Sequence, residues 1–336
     1  TLSSSSAASD VYKRQSKAIT ATGTILLNTA NGAITLSGNI ASTTSGLTLN
    51  GGNNLTLSGT NSYSGGTTIS GGKIVATAAG ALGSGGVTNN ATLDLTAGAV
   101  NYTGLSSSMS GNGTVNVTLG SGSSSTTLNG NYSGFTGTWN IGSGAAGASK
   151  ANMNGADNAS ATINVFSNGT LYVNSSANTH HASLVLYGGN TGESLGQLRL
   201  EGGATWAGDI TLAGAITGSG DATVGSNSGG GIISGDISES GGSQSLIKAG
   251  SSVITLSGSN SYTGPTTINA GTLKLGSTRA LGSATVKTSG VEVNGTAVFD
   301  LAGISPTAVT PLTLNSTAAT FNVGSLHNSA NGTTAT

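Results

Sequence analysis

The stretch LSGTNSYSGGTTISGGKIV (residues 57–75) occurs a second time as LSGSNSYTGPTTINAGTLKL (residues 256–275). The two copies align without a gap, because residue 57 matches residue 256 and every later position keeps that offset. The ALGS of residues 81–84 matches the ALGS of residues 280–283 at the same offset. A match of this length indicates a repeated structural unit rather than a chance likeness between small polar residues.

The repeat is defined by leucine, glycine, asparagine, tyrosine, threonine and isoleucine positions, for which we predict structural roles. They are Leu57, Gly59, Asn61, Tyr63, Gly65, Thr67 and Ile69 in the first copy, and Leu256, Gly258, Asn260, Tyr262, Gly264, Thr266 and Ile268 in the second. The isoleucines, with Ile74 and Leu273, are expected to fill a narrow core. The asparagines suit either a left-handed turn conformation or an internal hydrogen-bond ladder. The tyrosines are expected over a turn or on the surface, and the alternative is that they bind a ligand.

Alternation of apolar and polar residues continues through the rest of the chain, as in NLTLSG (residues 54–59) and TVNVTL (residues 114–119). Side chains alternate between the two faces of a strand, so this pattern predicts short strands with one buried face. Glycine and asparagine between the segments predict turns, including a corner at Gly71–Gly72 and another at Ala270–Gly271. Residues 147–161 lack an apolar stripe and are predicted to form a loop.

The composition favours stacked strands over other all-β architectures. Glycine makes up 57 of 336 residues, charged residues 6% and aromatic residues 4%. Few aromatics argue against the large core of a sandwich, and few charges avoid repulsion between equivalent residues stacked ~4.8 Å apart. We therefore predict an all-β chain that forms a single β-solenoid over residues 17–336, with about 20 residues per turn. A sandwich and a propeller are the alternatives.

Several classes of partner are not expected. Ten basic and eleven acidic residues give a formal net charge of −1, which offers no electrostatic basis for binding nucleic acid. No apolar run is long enough to predict a transmembrane segment. The absence of cysteine is compatible with passage through a pore in an unfolded state. Residues 4–15 resemble translated sequencing-adapter read-through, and an ordinary disordered N-terminal arm is the alternative. Residues 1–16 are therefore left out of the predicted fold.

The repeated motif resembles the autotransporter-associated β-strand repeat, also called the passenger-associated transport repeat. The two strong copies cover about residues 55–95 and 254–301, and LNGNYSGFTGTWNI (residues 128–141) resembles a degenerate copy. The resemblance implies a passenger of a Gram-negative type V system, secreted or exposed on the outside of the outer membrane. It implies the fold of such passengers as well, so that the all-β solenoid would be a single right-handed parallel β-helix. It also implies an outer-membrane β-barrel translocator as partner, which we expect to lie outside this chain, together with the export signal.

Few residues indicate chemistry, and no cofactor or metal site is predicted. His180 and His181 are adjacent, so on a strand they point to opposite faces and rarely chelate one metal ion. The richest polar group is Glu193, Arg199 and Glu201, with Asp209 nearby in sequence. Arg199 and Glu201 share a strand face, as a surface ion pair would. An enzyme acting on carbohydrate would require these four residues to converge on one cleft.

Three functions remain open at this level. The first, which we favour, is a structural or adhesive passenger that forms a rigid stalk, whose turn-by-turn folding assists export and which binds a host or surface glycan or protein. The second is the carbohydrate-acting enzyme. The third is the stalk of a toxin or protease passenger whose active domain lies outside this chain.

Overall fold

The computed structural model describes ten segments of the chain and divides it into two compact units, Thr1–Thr162 and Ile163–Thr336. The described segments are residues 14–15, 17–98, 100–119, 124–143, 148–155, 157–177, 179–189, 194–214, 221–315 and 326–329. Of residues 1–16, only Arg14 and Gln15 are described, and they pair with the strand at Ile34–Leu36.

The first unit consists of short strands and one short helix among its described residues. Their bounds are β1 Arg14–Gln15, β2 Ile19–Thr20, β3 Ile25–Asn28, β4 Ile34–Leu36, β5 Ile40–Ala41, β6 Leu47–Asn50, β7 Asn54–Leu57, β8 Thr67–Ile69, β9 Lys73–Ala76, β10 Val87–Asn89, β11 Thr92–Leu95, β12 Val100–Asn101, α1 Thr103–Ser107, β13 Ser108–Gly111, β14 Thr114–Val117, β15 Ser124–Thr127, β16 Asn131–Phe135, β17 Thr138–Ile141 and β18 Ser149–Asn152. The strand orders are β1-β4-β7-β9-β11-β14-β17, β16-β13-β10-β8-β6-β3, β12-β15-β18 and β2-β5.

The second unit is built in the same way. Its strands are β19 Thr162–Val165, β20 Gly169–Asn174, β21 Thr179–His180, β22 Ser183–Leu186, β23 Leu198–Glu201, β24 Ala204–Trp206, β25 Ile210–Ala213, β26 Ala222–Gly225, β27 Gly231–Ile233, β28 Ile237–Ser240, β29 Leu246–Ala249, β30 Val253–Leu256, β31 Thr266–Ile268, β32 Thr272–Leu275, β33 Val291–Asn294, β34 Val298–Asp300, β35 Leu312–Asn315 and β36 Leu326–His327. The orders are β19-β22-β25-β28, β20-β23-β26-β29-β31-β33-β35 and β21-β24-β27-β30-β32-β34-β36.

Each unit is a β-solenoid. Neighbours within a sheet are parallel and belong to successive passes of the chain, so the chain returns to the same sheet once per turn. The predicted all-β parallel solenoid is therefore confirmed, while its right-handed sense stays a prediction. Stacked positions lie 19 residues apart between Asn54 and Lys73 and 27 apart between Ile210 and Ile237, because the connections between strands differ in length.

The core of each unit is a stack of inward-facing apolar side chains. Leu55, Ile74, Leu93 and Val115 follow one another in register on β7, β9, β11 and β14, and all four are fully buried. Complete burial of an aliphatic side chain of this size contributes roughly 1.5–3 kcal/mol. Since each turn adds the same few residues to the stack, stability accumulates along the solenoid through contacts between adjacent turns.

The predicted corners depend on glycine. Gly72 has φ +70° and Gly271 has φ +63°, a region that other residues rarely adopt. A Cβ atom on Gly72 would lie 2.5 Å from the carbonyl oxygen of Asn53, and one on Gly271 would lie 2.4 Å from that of Ser252. The adjacent turn therefore leaves no room for a side chain at either corner.

Two local elements differ from the prediction. The loop predicted over residues 147–161 contains β18, in which the buried residues are Ser149 and Ala151. Because the inward residues are a serine and an alanine rather than large apolar residues, the sequence shows no apolar stripe here. The helix α1 was not predicted, and it is only five residues long. Among the described residues, no helix combines the length and apolar character needed to cross a membrane.

We predict that Gly72→Ala destabilises the chain more than Gly295→Ala does. Both glycines have positive φ, but the space around Gly295 is open, because no atom lies within 4 Å of the position that its Cβ would take. Gly295→Ala should cost only the conformational penalty of about 1–2 kcal/mol, whereas Gly72→Ala adds a backbone clash. Urea unfolding of the two variants measures the difference, and equal losses would show that close stacking does not limit this corner.

Candidate functional site

Residues 47–76 and residues 246–275, each of which includes the first part of a repeat copy, fold into the same four strands. In the first copy they are β6, β7, β8 and β9, and in the second β29, β30, β31 and β32. Corresponding backbone bonds also match, since Leu47 N–H donates to Gly66 O at 2.9 Å and Leu246 N–H donates to Pro265 O at 3.0 Å. Repetition of the sequence therefore reproduces one local structure in both units.

Asn61 connects three successive turns through its side chain. Its Oδ1 accepts a hydrogen bond from Ile40 N–H of the preceding turn at 2.8 Å, and its Nδ2 donates to Ala81 O of the following turn at 2.6 Å. Ser62 N–H donates to Ile40 O at 2.9 Å, so both backbone groups of Ile40 bond to adjacent residues of the next turn. The amide side chain thus takes the place of a backbone partner in a parallel ladder.

Asn260 makes the same connections in the second copy. Its Oδ1 accepts from Ile237 N–H at 2.8 Å, and its Nδ2 donates to Ala280 O at 2.6 Å. Both asparagine side chains are buried. Of the two roles considered from the sequence, the structure shows internal hydrogen bonding, because among described non-glycine residues only Ala302 has a positive φ.

The tyrosines of the repeat lie inside the solenoid, so the expectation that they occupy a turn or the surface was wrong. Tyr63 is 0% exposed and Tyr262 is 1% exposed. Each hydroxyl is bonded at 2.7 Å to the threonine four residues later, Thr67 or Thr266. Burial raises the pKa of the Tyr63 phenol, and raises that of Tyr262 to about 12. A buried, bonded phenol has no ring face available to an external ligand.

The repeat glycines lie where the backbones of adjacent turns approach most closely. Added Cβ atoms would lie 2.5 Å from a backbone atom at Gly59, 2.7 Å at Gly65, 2.1 Å at Gly258 and 2.3 Å at Gly264. The remaining repeat positions, Leu57, Ile69, Thr67 and their counterparts Leu256, Ile268, Thr266, are buried, as are Ile74 and Leu273. All the sequence-identified repeat positions therefore contribute to contacts between or within turns.

The degenerate copy at residues 128–141 keeps a buried tyrosine but bonds it differently. Tyr132 donates its hydroxyl to Leu105 O at 2.8 Å, toward the preceding turn, and its ring packs 5.5 Å from that of Trp139. Thr136, four residues later, is exposed and bonds instead to Gly111 O. This segment therefore keeps the tyrosine without its threonine partner.

Arg199 and Glu201 form a closed ion-pair cluster. Arg199 Nη2 lies 2.9 Å from Glu201 Oε1, and the guanidinium lies 4.6 Å from the centre of the Tyr172 ring. Tyr172 donates its hydroxyl to Glu201 Oε2 at 3.1 Å, and Asn227 N–H donates to Oε1 at 3.2 Å. Burial, and then the contact with Glu201, raise the pKa of Tyr172. Both carboxylate oxygens are thus occupied by donors from the protein.

The other residues of the postulated catalytic cleft do not join this cluster. Asp209 precedes β25, which belongs to a different sheet from β23, and its Oδ1 accepts from Asp236 N–H at 3.2 Å. Glu193 lies outside the described residues. The described residues therefore do not assemble the cleft that the enzyme alternative requires.

The two histidines point in opposite directions, as their adjacency on the chain predicts. His180 is buried with its ring parallel to that of Trp206 at 5.7 Å, whereas His181 is exposed. Within the described part of the chain, no group of three or more His, Asp or Glu residues is arranged to hold a metal ion.

Sequence reasoning missed Lys248, which faces inward from β29 and is 0% exposed. Its Nζ donates to three carbonyl oxygens, those of Ala249 at 2.8 Å, Gly250 at 2.8 Å and Ala270 at 2.9 Å. Burial lowers the pKa of Lys248 to about 8. The signal was present in the sequence, because the aligned residue of the first copy is the buried Leu49.

We predict that Asn61→Ala lowers stability by about 2–5 kcal/mol, because it leaves the buried Ile40 N–H without a partner. Ala81 O then keeps only the long hydrogen bond from the Tyr63 hydroxyl, at 3.5 Å. Asn260→Ala should lower the stability by a similar amount. Asn90→Ala is the matched control, because this exposed asparagine shows no such bridge. Urea unfolding measures all three, and a loss for Asn61→Ala no larger than for Asn90→Ala would remove the bridge as a stabilising feature.

We also predict that the stability of the unaltered chain rises relative to Lys248→Leu as the pH increases. The pKa of Lys248 falls from 10.5 to about 8 on folding, so between these values the unfolded state binds more protons and alkali favours the folded state. The relative gain should reach about 1–3 kcal/mol. Tyrosine ionisation weakens both proteins alike above about pH 10 and cancels in the difference. A pH-independent difference in urea unfolding would contradict burial of this charge.

Comparison with known proteins supports the assignment of the repeat. The family model of the passenger-associated-transport-repeat matches residues 47–76 and 246–275, which span the four strands of each copy. Comparisons with curated proteins and with solved structures gave no significant match. The chain thus carries two passenger-associated transport repeats within a parallel β-solenoid, a combination that fits the passenger of an autotransporter.

Proposed function

We propose that this chain is a structural stalk in the passenger of a type V secreted bacterial protein. The observation that carries the proposal is the pair of matched repeats, in which Asn61 and Asn260 make equivalent bridges across three turns. The passenger would be secreted or exposed at the cell surface, outside a Gram-negative outer membrane. Its partner during export would be a translocator domain.

Turn-by-turn folding would assist export. A chain without cysteine forms no disulfide that would block passage through a pore, and its low charge avoids repulsion between stacked turns. Each turn contacts only its neighbours, so folding can propagate from the turns that emerge first. Folding outside the membrane would then oppose return of the chain.

An ordered polar row on the first unit supports an adhesive role. Lys73 Nζ lies 2.8 Å from Asp94 Oδ2, Asn116 donates to Asp94 Oδ1 at 2.7 Å, and Asn140 donates to Asn116 Oδ1 at 2.9 Å. These half-buried side chains occupy successive turns of one sheet. Fixed amides and charges of this kind suit hydrogen bonding to a glycan or protein surface.

Catalysis is not part of the proposal. The strongest candidate carboxylate, Glu201, is buried and engaged by Arg199, Tyr172 and Asn227. That arrangement suits a structural ion pair better than a general acid, which needs access to substrate. An active domain elsewhere in a longer passenger would be compatible with the stalk.

The test is surface display. The full chain is fused between an export signal and an outer-membrane translocator, and the fraction accessible to protease on intact cells is measured. We predict display of the unaltered chain, a several-fold loss for the Asn61→Ala and Asn260→Ala double variant, and no loss for Asn90→Ala.

Failure of the unaltered chain to reach the surface would contradict the passenger assignment. Undiminished display of the double variant, with its lower stability verified on purified protein, would instead show that folding does not assist export.

A further inference from the structure

Lys248 takes its hydrogen-bond acceptors from two turns of the second unit. Ala249 is the last residue of β29, the strand of Lys248 itself, and Gly250 begins the corner that follows it. Ala270 belongs to the corner between β31 and β32, one turn later. An ammonium group has three N–H donors, so the set is complete only when both corners are in place.

No carboxylate in the adjacent strands compensates the charge. The strands packed against β29 in its sheet are β26 and β31, and neither carries a titratable residue. Strand β30 carries none either, and β32 carries Lys274, on the outward face. The buried ammonium is therefore compensated by the three carbonyl oxygens, one at the end of β29 and two in the corners.

The turn that contains β31 both removes water from the Lys248 ammonium and supplies one of its hydrogen-bond acceptors. Where β29 is the last strand to have stacked, water reaches the end of the sheet and can solvate the ammonium. Stacking of β31 covers the side chain and replaces water with the single acceptor at Ala270. A buried donor that loses its acceptor is costly, and more so when it is charged. Leu49, the equivalent residue of the first copy, has no polar side-chain atom and needs no acceptor from the following turn.

We propose that Lys248 makes firm docking of its own turn depend on correct docking of the following turn, and so couples the two turns into one folding step. A displaced corner at Ala270 would leave the ammonium covered but short of an acceptor, and the strain would be relieved by opening the turn of β29. The inference concerns the order of stacking and holds whether or not the chain is exported.

A double-variant cycle tests the coupling. Gly271→Ala displaces the second corner, because its Cβ would lie 2.4 Å from Ser252 O. The reporter is the Ser226 amide, which donates to Ala249 O at 3.3 Å and so measures docking of the β29 turn on the turn before it. Hydrogen exchange of this amide is compared with and without Gly271→Ala, in chains with Lys248 and with Lys248→Leu.

With Lys248 present, Gly271→Ala should reduce protection of the Ser226 amide about 10- to 100-fold more than it does with Leu at this position, the effect of one hydrogen bond to a charged group. A difference within about twofold is ordinary additivity and would overturn the proposal.

The first copy offers a matched cycle without charge. Its reporter is the Thr29 amide, which donates to Asn50 O at 2.9 Å, and its variants are Leu49→Met and Gly72→Ala. We expect additivity within about twofold there, and coupling of the same size as in the second copy would also overturn the proposal. Lys248→Met supplies a second uncharged background. If neither uncharged chain forms the turn, Lys248 is required by its own turn and the coupling proposal fails.

Discussion

The structure depends on satisfying backbone groups where the chain leaves one turn and enters the next. Within the sheets, backbone N–H and C=O groups bond to the neighbouring strands in regular parallel ladders. The connections between strands have no such regular set of hydrogen-bond partners. At Asn61 and Asn260 an amide side chain fills this role by bonding to both adjacent turns. Because an amide is at once a donor and an acceptor, one residue can join a turn to both of its neighbours. The backbones of adjacent turns also lie close together two residues earlier, because a Cβ atom would lie 2.5 Å from Gly38 O at Gly59 and 2.1 Å from Gly235 O at Gly258.

Charge is the second constraint on a stack of this kind. Equivalent residues of successive turns lie ~4.8 Å apart, so like charges in one column repel and isolated inward charges lose hydration. Lys73 is paired with Asp94 and Arg199 with Glu201, while Lys248 has three carbonyl acceptors. Sparse charge therefore allows stacking, and the few charges that remain act as local contacts between specific residues.

The sequence was sufficient to predict the architecture, since alternation in segments such as residues 54–59 gives the strand faces directly and glycine marks the corners at Gly72 and Gly271. It did not predict β18, because Ser149 and Ala151 face inward without being strongly apolar. It placed Tyr63 and Tyr262 wrongly, because a polar hydroxyl favours a solvent-exposed position unless a buried partner is known. The structure supplies those partners, Thr67 and Thr266. The alignment of Lys248 with Leu49 marks an inward position, but the acceptors that make a lysine acceptable there are backbone carbonyls, which leave no trace in residue types.

The bridging asparagines connect the repeat to the proposed role of the chain, since a stalk that folds turn by turn needs contacts that fix each turn on its neighbours. The most direct measurement is residue-resolved hydrogen exchange of the unaltered chain at Ile40 and Ile237, whose amides donate to Asn61 and Asn260. If the asparagine side chains carry these contacts, both amides exchange as slowly as amides within the neighbouring strands. Exchange as fast as that of the open turn at Gly241 would contradict the account.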